Sequence, residues 1–300
     1  MEFKELKSKF FDYLLLERGY SVNTKESYED DLNKFFEYID SNNLDLFEIE
    51  NFHITLFAAE LKRRNYSDST IIRILSTLRS FFKFLIEREN FKKDVSLLIE
   101  LPKKPQRLPF FLTYKEIDRL INSIDINKFL GLRDRALIEL LYATGMRVSE
   151  ALSLKLNDIN FKEELVRIRG KGEKDRIVPL NKISLFYLNE YIEKERKKIL
   201  KNKSSDFLFL NKNGEKLTRV GFWKILKKYS KIAGIDNLHP HIIRHTFATH
   251  MLLNGCDLKT LKMILGHSSI STTQVYTHVT KTHLHEVIEK YHPRGKGEYR

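Results

Sequence analysis

The second half of the chain carries a set of polar residues whose types suit phosphodiester chemistry. The set has two arginines, a lysine, two histidines and a tyrosine: Arg147, Lys171, His241, Arg244, His267 and Tyr276. Guanidinium groups bind phosphate oxygens bidentately, while imidazole and ammonium groups move protons and an activated phenol acts as a nucleophile. Together these residues could attack a phosphodiester without a metal ion.

The two arginines are the candidate anion-binding residues. Arg147 is predicted to begin a short helix, where it could equally be a capping or salt-bridging residue. Arg244 lies one turn after His241 on a predicted helix, so their side chains share a face. Two guanidiniums that converge on one phosphate would stabilise a pentacovalent transition state, and losing one such donor costs about 3–4 kcal/mol.

Lys171 is the candidate general acid. It lies between Gly170 and Gly172, at the tip of a hairpin predicted from the alternating runs 166–169 and 176–179. A lysine in a turn is often only a solvated surface group. Here the flanking glycines allow the backbone to approach a ligand closely. A lysine with a pKa lowered by cationic neighbours could protonate a leaving 5′ oxygen.

Nine of the ten histidines lie at or after position 239. His241 and His245 have the i, i+4 spacing of some metal sites, but Arg244 between them would repel a cation and no glutamate follows His241. We therefore predict no metal and no other cofactor. His241 and His267 are interpreted as site residues, and His245 and His250 as structural residues.

Tyr276 is the candidate nucleophile because it follows a short polar segment, 271–275, with little apolar face. A phenol with a pKa near 10 needs cations or a base to help it ionise. Its attack would give a 3′-phosphotyrosine and a free 5′-hydroxyl. The bond energy is retained, so a different 5′-hydroxyl could reverse the step without ATP, and strands would be exchanged rather than hydrolysed.

Two domains are expected to position these residues. Helical periodicity predicts a helical domain over 1–101, and three prolines in 102–109 predict an extended spacer. A catalytic domain of helices with a small antiparallel sheet is predicted over 110–300, beginning with a capping box, Thr113 to Glu116, before an apolar helix. Further helices are predicted over Leu185–Leu200, Thr218–Ala233, Ile242–Leu253, Leu258–Leu265 and Thr282–Tyr291.

Composition narrows the class of protein. The 300 residues carry a net charge of +13, which favours a polyanionic partner, although a basic but unspecialised surface would also explain it. The first residues lack an apolar signal core, and no apolar run approaches the roughly 20 residues that cross a bilayer. The single cysteine, Cys256, excludes an internal disulfide and suits a reducing compartment. A cytoplasmic protein is expected.

Several segments resemble the tyrosine recombinase family, and within it the Xer group. They are Ala143-Thr144-Gly145-Met146-Arg147-Val148-Ser149-Glu150, Gly170-Lys171-Gly172, His239-Pro240-His241-Ile242-Ile243-Arg244-His245, Leu265-Gly266-His267 and Tyr276-Thr277-His278. The resemblance implies a helical core-binding domain, a linker and a mixed catalytic domain. It also implies that the six residues are the active site, with Tyr276 as the nucleophile, and that four protomers assemble on two specific double-stranded DNA sites.

The resemblance leaves the biological role open. Chromosome-dimer resolution at a dif-like site is the leading expectation, and integration or resolution of a mobile element is an alternative. The enzyme could act alone or with a paralogue, and a translocase of the FtsK type is a possible partner. The rival classes are a type IB topoisomerase and a non-catalytic DNA-binding protein. The resemblance implies that the apolar stripe of the segment Thr282–Tyr291 packs on a neighbouring protomer; the alternative is that it docks onto its own domain.

Overall fold

The computed structural model describes residues 3–18, 20, 22–89, 91, 110–170, 175–266 and 278–295, with the side chains of 22, 23 and 278–282 excepted. The chain divides into two compact units, Met1–Arg107 and Leu108–Arg300. Lys171, His267, Tyr276 and the expected spacer 102–109 lie outside the described residues. Each unit has its own hydrophobic core.

The first unit is built from helices with an aromatic core. They are α1 (Phe3–Asp12), a π-helical turn (Tyr13–Glu17), α2 (Val22–Ser41), a 3-10 turn (Leu46–Glu48), α3 (Asn51–Arg63) and α4 (Asp68–Arg88). Ser67 caps α4 by accepting a hydrogen bond from the backbone of Thr70, as its position before an apolar helix predicts. The rings of Phe10, Phe35 and Phe81 are fully buried between these helices.

The second unit is mainly helical with a small sheet. Its helices are α5 (Tyr114–Asn122), α6 (Gly131–Thr144), α7 (Val148–Ala151), α8 (Lys182–Glu190), a π-helical turn (Tyr191–Arg196), α9 (Lys197–Leu200), α10 (Arg219–Ile232), α11 (Pro240–Leu253), α12 (Leu258–Leu265) and α13 (His278–Tyr291). The predicted capping box is present, since Thr113 and Glu116 bond each other's backbone N–H groups. Helix α6 is buried on all sides and forms the centre of the unit.

The sheet has three antiparallel strands, β1 (Ile159–Asn160), β2 (Leu165–Ile168) and β3 (Arg176–Pro179). Strands β2 and β3 pair with Ile168 opposite Arg176, which confirms the predicted hairpin around residue 171. The mainly α chain with a small antiparallel sheet confirms the fold class predicted from the sequence.

In the single chain, the last helix packs on its own domain, which is the alternative to the expected contact with a neighbouring protomer. Leu284, Val287 and Ile288 of α13 are only 1%, 5% and 2% exposed, and they belong to the core of their own domain. The apolar stripe that was expected to pack on a neighbouring protomer is therefore covered within the single chain. The reason is that an amphipathic helix next to its own apolar core can bury its stripe without a partner.

Candidate active site

Helix α7 presents Arg147 at its N-terminus, and Glu150 fixes that residue. Oε2 of Glu150 accepts a hydrogen bond from the backbone N–H of Arg147 at 2.7 Å, and Oε1 pairs with its Nη1 at 3.0 Å. The carboxylate is mostly buried, while the Arg147 side chain remains 45% exposed. Arg147 is thus both a capping residue and a cation held at the surface.

Arg176 of strand β3 joins Arg147 and Glu150; these three residues and Arg244 are called the arginine cluster below. Its Nη1 and Nη2 donate to the two carboxylate oxygens of Glu150 at 3.1 and 2.8 Å, and its Nε donates to the carbonyl of Ile264 at 2.9 Å. Both side chains of the pair are less than a tenth exposed. One buried ion pair therefore ties β3, α7 and the end of α12 together. Burial acts to raise the pKa of Glu150, but the hydrogen bonds and charge of Arg176, helped by Arg147, hold it below its ordinary value.

Arg244 reaches the same place from α11. Its Nη1 donates to the carbonyl of Gly145 at 2.8 Å and its Nη2 to the carbonyl of Leu265 at 3.0 Å. Burial and then the charge of Arg147 lower the pKa of Arg244 to about 10, with Arg176 acting in the same direction and Glu150 opposing it. Arg244 is still cationic at neutral pH. Because Arg244 bonds the carbonyl of Gly145, two residues before Arg147, the two predicted arginines are brought to the same turn of the chain.

Gly145 permits this approach. Its φ of +59° is in the left-handed region that favours glycine, where it ends α6. A Cβ at this position would lie 2.2 Å from a ring carbon of Phe247 and 2.9 Å from Leu265. The chain can therefore turn tightly from α6 to Arg147 only because residue 145 has no side chain.

The structure describes three of the four histidines weighed in the sequence, namely His241, His245 and His250. His241 is exposed in the first turn of α11, one turn before Arg244. His250 is buried and its Nδ1 bonds the Tyr142 hydroxyl at 2.8 Å, which confirms a structural role. The rings of His245 and Phe111 form a T-shaped pair, with their centroids 6.2 Å apart. Within the described ranges, no group of three histidine, cysteine or acidic residues is arranged to hold a metal ion.

The three remaining candidates stay predictions because they lie outside the described residues. One of their described neighbours in sequence, Gly266, lies against the side chain of Arg176. Gly170 follows strand β2, and Gly266 ends α12 with a Cβ position 3.0 Å from the Arg176 side chain. His267 directly follows Gly266, and Tyr276 precedes α13 by two residues.

Sequence reasoning missed the residues that position this cluster. Glu150 is three residues after Arg147, which is the spacing of a capping box, and this signal could have found it. Arg176 gave no such signal, because its partners come from α7 and α12 and only the fold brings them together. Gly145 was recognised only as part of a motif and not as a residue required by packing.

Comparison with known proteins defines the class. The Phage integrase family model matches residues 111–283, and the model named Phage integrase, N-terminal SAM-like domain matches residues 8–89. The chain belongs to the phage integrase family, that is, to the tyrosine recombinases. A tyrosine recombinase is a DNA strand-exchange enzyme that acts without a metal ion or ATP.

Individual relatives place the chain near the Xer group. It is 42% identical to Tyrosine recombinase XerD of Listeria innocua, over 95% of this chain and 98% of that protein. It is 46% identical to Tyrosine recombinase XerD of Oceanobacillus iheyensis, over 95% of this chain and 97% of that protein. A structure of the XerH site-specific recombinase bound to its difH substrate matches with a TM-score of 0.69 at 27% identity, covering 93% of this chain and 83% of that one. In the part of the chain that the structure describes, no helix is both long and apolar enough to cross a membrane.

Proposed function

We propose that this protein is a Xer-type site-specific recombinase that cuts and rejoins strands of double-stranded DNA, with chromosome-dimer resolution at a dif-like site as its role. The observation that carries the proposal is the hydrogen bond from Arg244 to the carbonyl of Gly145, two residues before Arg147, which brings both arginines to one turn of the chain. The charge of Arg147 acts to lower the pKa of Arg244, so an anion such as a phosphate would be stabilised beside the two guanidiniums. Relatives named XerD, at 42% and 46% identity over most of the chain, support the role.

In the proposed mechanism Arg147 and Arg244 bind the non-bridging oxygens of the scissile phosphate. The phenolate oxygen of Tyr276 forms a bond to phosphorus as the bond to the 5′ oxygen breaks. Lys171 gives a proton to that leaving oxygen, while His241 and His267 assist by bonding phosphate oxygens or accepting the proton of Tyr276. A second 5′-hydroxyl reverses the step, so no external energy source is needed.

We propose the domain organisation that the sequence predicts, with core-binding residues 1–101, a linker over 102–109 and catalytic residues 110–300. The enzyme is proposed to assemble as a tetramer on two DNA sites and to work in the cytoplasm. Support for assembly on DNA comes from the similar XerH recombinase, which was solved on its difH substrate. We also propose a translocase of the FtsK type as a partner, as the family resemblance implies.

The proposal is tested with a nicked recombination-site duplex in the presence of EDTA. We expect the wild-type protein to become covalently attached to this DNA, because a 3′-phosphotyrosine forms and the freed 5′ fragment diffuses away. Tyr276→Phe should bind the duplex with similar affinity and give no adduct on a denaturing gel. Tyr291→Phe, the same change in the last turn of α13, is the matched control and should retain the adduct.

Three results would contradict the proposal. An adduct in Tyr276→Phe would move the nucleophile to another residue, and a metal requirement would exclude the mechanism. Relaxation of supercoiled DNA that lacks a recombination site would favour a type IB topoisomerase. Sequencing the DNA trapped on the wild-type protein would identify its site and separate a chromosomal role from that of a mobile element.

A further inference from the structure

We propose that Arg167 and Arg169 form a second phosphate-binding site, which holds the DNA backbone outside the six candidate active-site residues. This inference rests on the proposed function, since it assumes a DNA partner. Arg167 lies in strand β2 and Arg169 directly follows it, and their side chains are 50% and 53% exposed. Residues i and i+2 of an extended segment point to the same face, so both arginines leave the sheet on its outer side.

A single buried carboxylate holds the two guanidiniums together. Oδ1 of Asp158 accepts a hydrogen bond from Nη2 of Arg167 at 3.3 Å and from Nη2 of Arg169 at 3.1 Å. Oδ2 of the same residue accepts from the backbone N–H of Lys155 at 2.8 Å. Asp158 is 3% exposed, so its orientation is fixed by the fold. The two long side chains are therefore brought to one point before any ligand arrives.

The arrangement leaves charge and hydrogen-bond donors for a ligand. Two guanidiniums share one carboxylate, which leaves an excess of one positive charge at the surface. Among the described residues, neither guanidinium has a further hydrogen-bond partner, and each has five N–H donors of which Asp158 takes one. Preorganised guanidinium groups of this kind bind phosphate oxygens well, because little side-chain freedom is lost on binding.

The position in the chain favours the DNA backbone as the ligand. Arg169 is followed by Gly170 and then by Lys171, the proposed general acid. A phosphate held by the arginine pair would thus be next to the hairpin that must meet the cleaved strand. Contacts to phosphates fix the position of a protein along the duplex without reading its base sequence. We infer that the pair seats the duplex against β2 and takes no part in bond breaking.

The test measures the salt dependence of binding to two probes, a random-sequence duplex and the duplex trapped on the wild-type protein. The main variant combines Arg167→Gln, Arg169→Gln and Asp158→Asn, so that no buried carboxylate is left without a partner. Each lost phosphate contact makes the slope of log K against log salt shallower by about 0.9. We expect a slope shallower by about one to two units, with both duplexes weakened alike.

The cleavage rate at saturating DNA should stay within about threefold of wild type, because a contact made equally before and during the reaction changes binding alone. Arg167→Gln alone leaves Asp158 paired with Arg169 and should show about half of the slope change; it guards against a folding defect in the triple variant. Arg167→Lys with Arg169→Lys keeps both charges and should retain the slope.

The matched control is Lys194→Gln with Lys197→Gln, which also removes two exposed cations paired with carboxylates of the same domain. Its slope should change less than that of the main variant. The inference is overturned if the main variant keeps the wild-type slope, if the control changes it equally, or if only the trapped duplex is weakened, which would indicate base reading. If wild-type protein formed no adduct while the main variant still showed the shallower slope on random duplex, the proposed function would be contradicted and this site would stand.

Discussion

At the scale of single residues, the candidate site is organised by groups that do no chemistry themselves. Glu150 fixes Arg147 through hydrogen bonds to its backbone and side chain, while backbone carbonyls of Gly145 and Leu265 fix Arg244. Arg176 satisfies the carboxylate that would otherwise neutralise Arg147. Because Glu150 divides its charge between two arginines, the cluster retains positive charge for a phosphate.

Replacing Glu150 should therefore affect both stability and activity. In Glu150→Gln the buried guanidinium of Arg176 loses its charged partner, and breaking one side of a buried pair costs about 3–5 kcal/mol. We expect a lower free energy of unfolding in urea and slower adduct formation, since Arg147 loses its anchor. Glu193→Gln, which breaks a surface pair with Lys197, should cost at most about 1 kcal/mol. Equal effects of the two substitutions would show that the buried pair has no special importance.

The residue types of the site were predictable from sequence, and their support was not. Arg147, His241 and Arg244 were found because local spacing shows a helix start and a shared helix face. The pair of Arg176 with Glu150 joins a strand to a helix start, and no local pattern encodes such a contact. The same limit applies to Asp158, which was not recognised as the link between Arg167 and Arg169.

At the scale of elements, local sequence signals predicted where helices and strands form better than they predicted which surfaces pack against them. The hairpin and the helix after Thr113 agree with the structure because turn and capping chemistry is local. The helix expected from Leu185 begins earlier, at Lys182, since Asn181 caps it by accepting a hydrogen bond from Ser184 at 2.8 Å. The stripe of α13 was correctly recognised as apolar, but periodicity does not say which surface buries it.

The segment after α13 anchors that helix to its own domain. Nε2 of His292 donates to the carbonyl of Tyr142 at 3.1 Å, and Arg294 pairs with Glu139 at 2.6 Å and with Asp118. His292 is buried, and burial, with the charges of Arg294 and His250 adding to it, lowers its pKa to about 4. The neutral imidazole is therefore part of the folded structure.

This burial predicts a pH dependence of stability. Between pH 6.5 and about 4 the unfolded state binds a proton at His292 that the folded state does not, so acid favours unfolding. The contribution is complete above pH 6.5 and is lost as the pH falls, by about 3 kcal/mol in all. We expect wild type to lose more unfolding free energy than His292→Gln between pH 7.5 and 4.5, as measured in urea. His285→Gln, a histidine change in the adjoining helix α13, should behave as wild type; an unchanged pH dependence in His292→Gln would refute the assignment.

At the scale of the whole molecule, the two units have separate cores. Among the described residues, one core lies within Leu6–Phe91 and the other within Leu112–Ile288. The first is dominated by aromatic rings and the second is centred on α6. Because α13 is already packed on its own domain, the single chain has no need of a neighbour to bury that stripe. Assembly on DNA would then depend on other surfaces or on release of α13.

Separate cores predict two unfolding transitions in calorimetry, since chains with more than one domain depart from two-state behaviour. Phe82→Ala should lower only the transition of the first unit, because it removes a fully buried ring from that core, at a cost of about 3–5 kcal/mol. Leu284→Ala should lower only the other transition, by about 2–5 kcal/mol, because α13 is part of the second core. If Leu284→Ala left both transitions in place, α13 would not be packed in solution as it is here. If either substitution moved both transitions together, the two cores would be energetically coupled and the units would unfold as one.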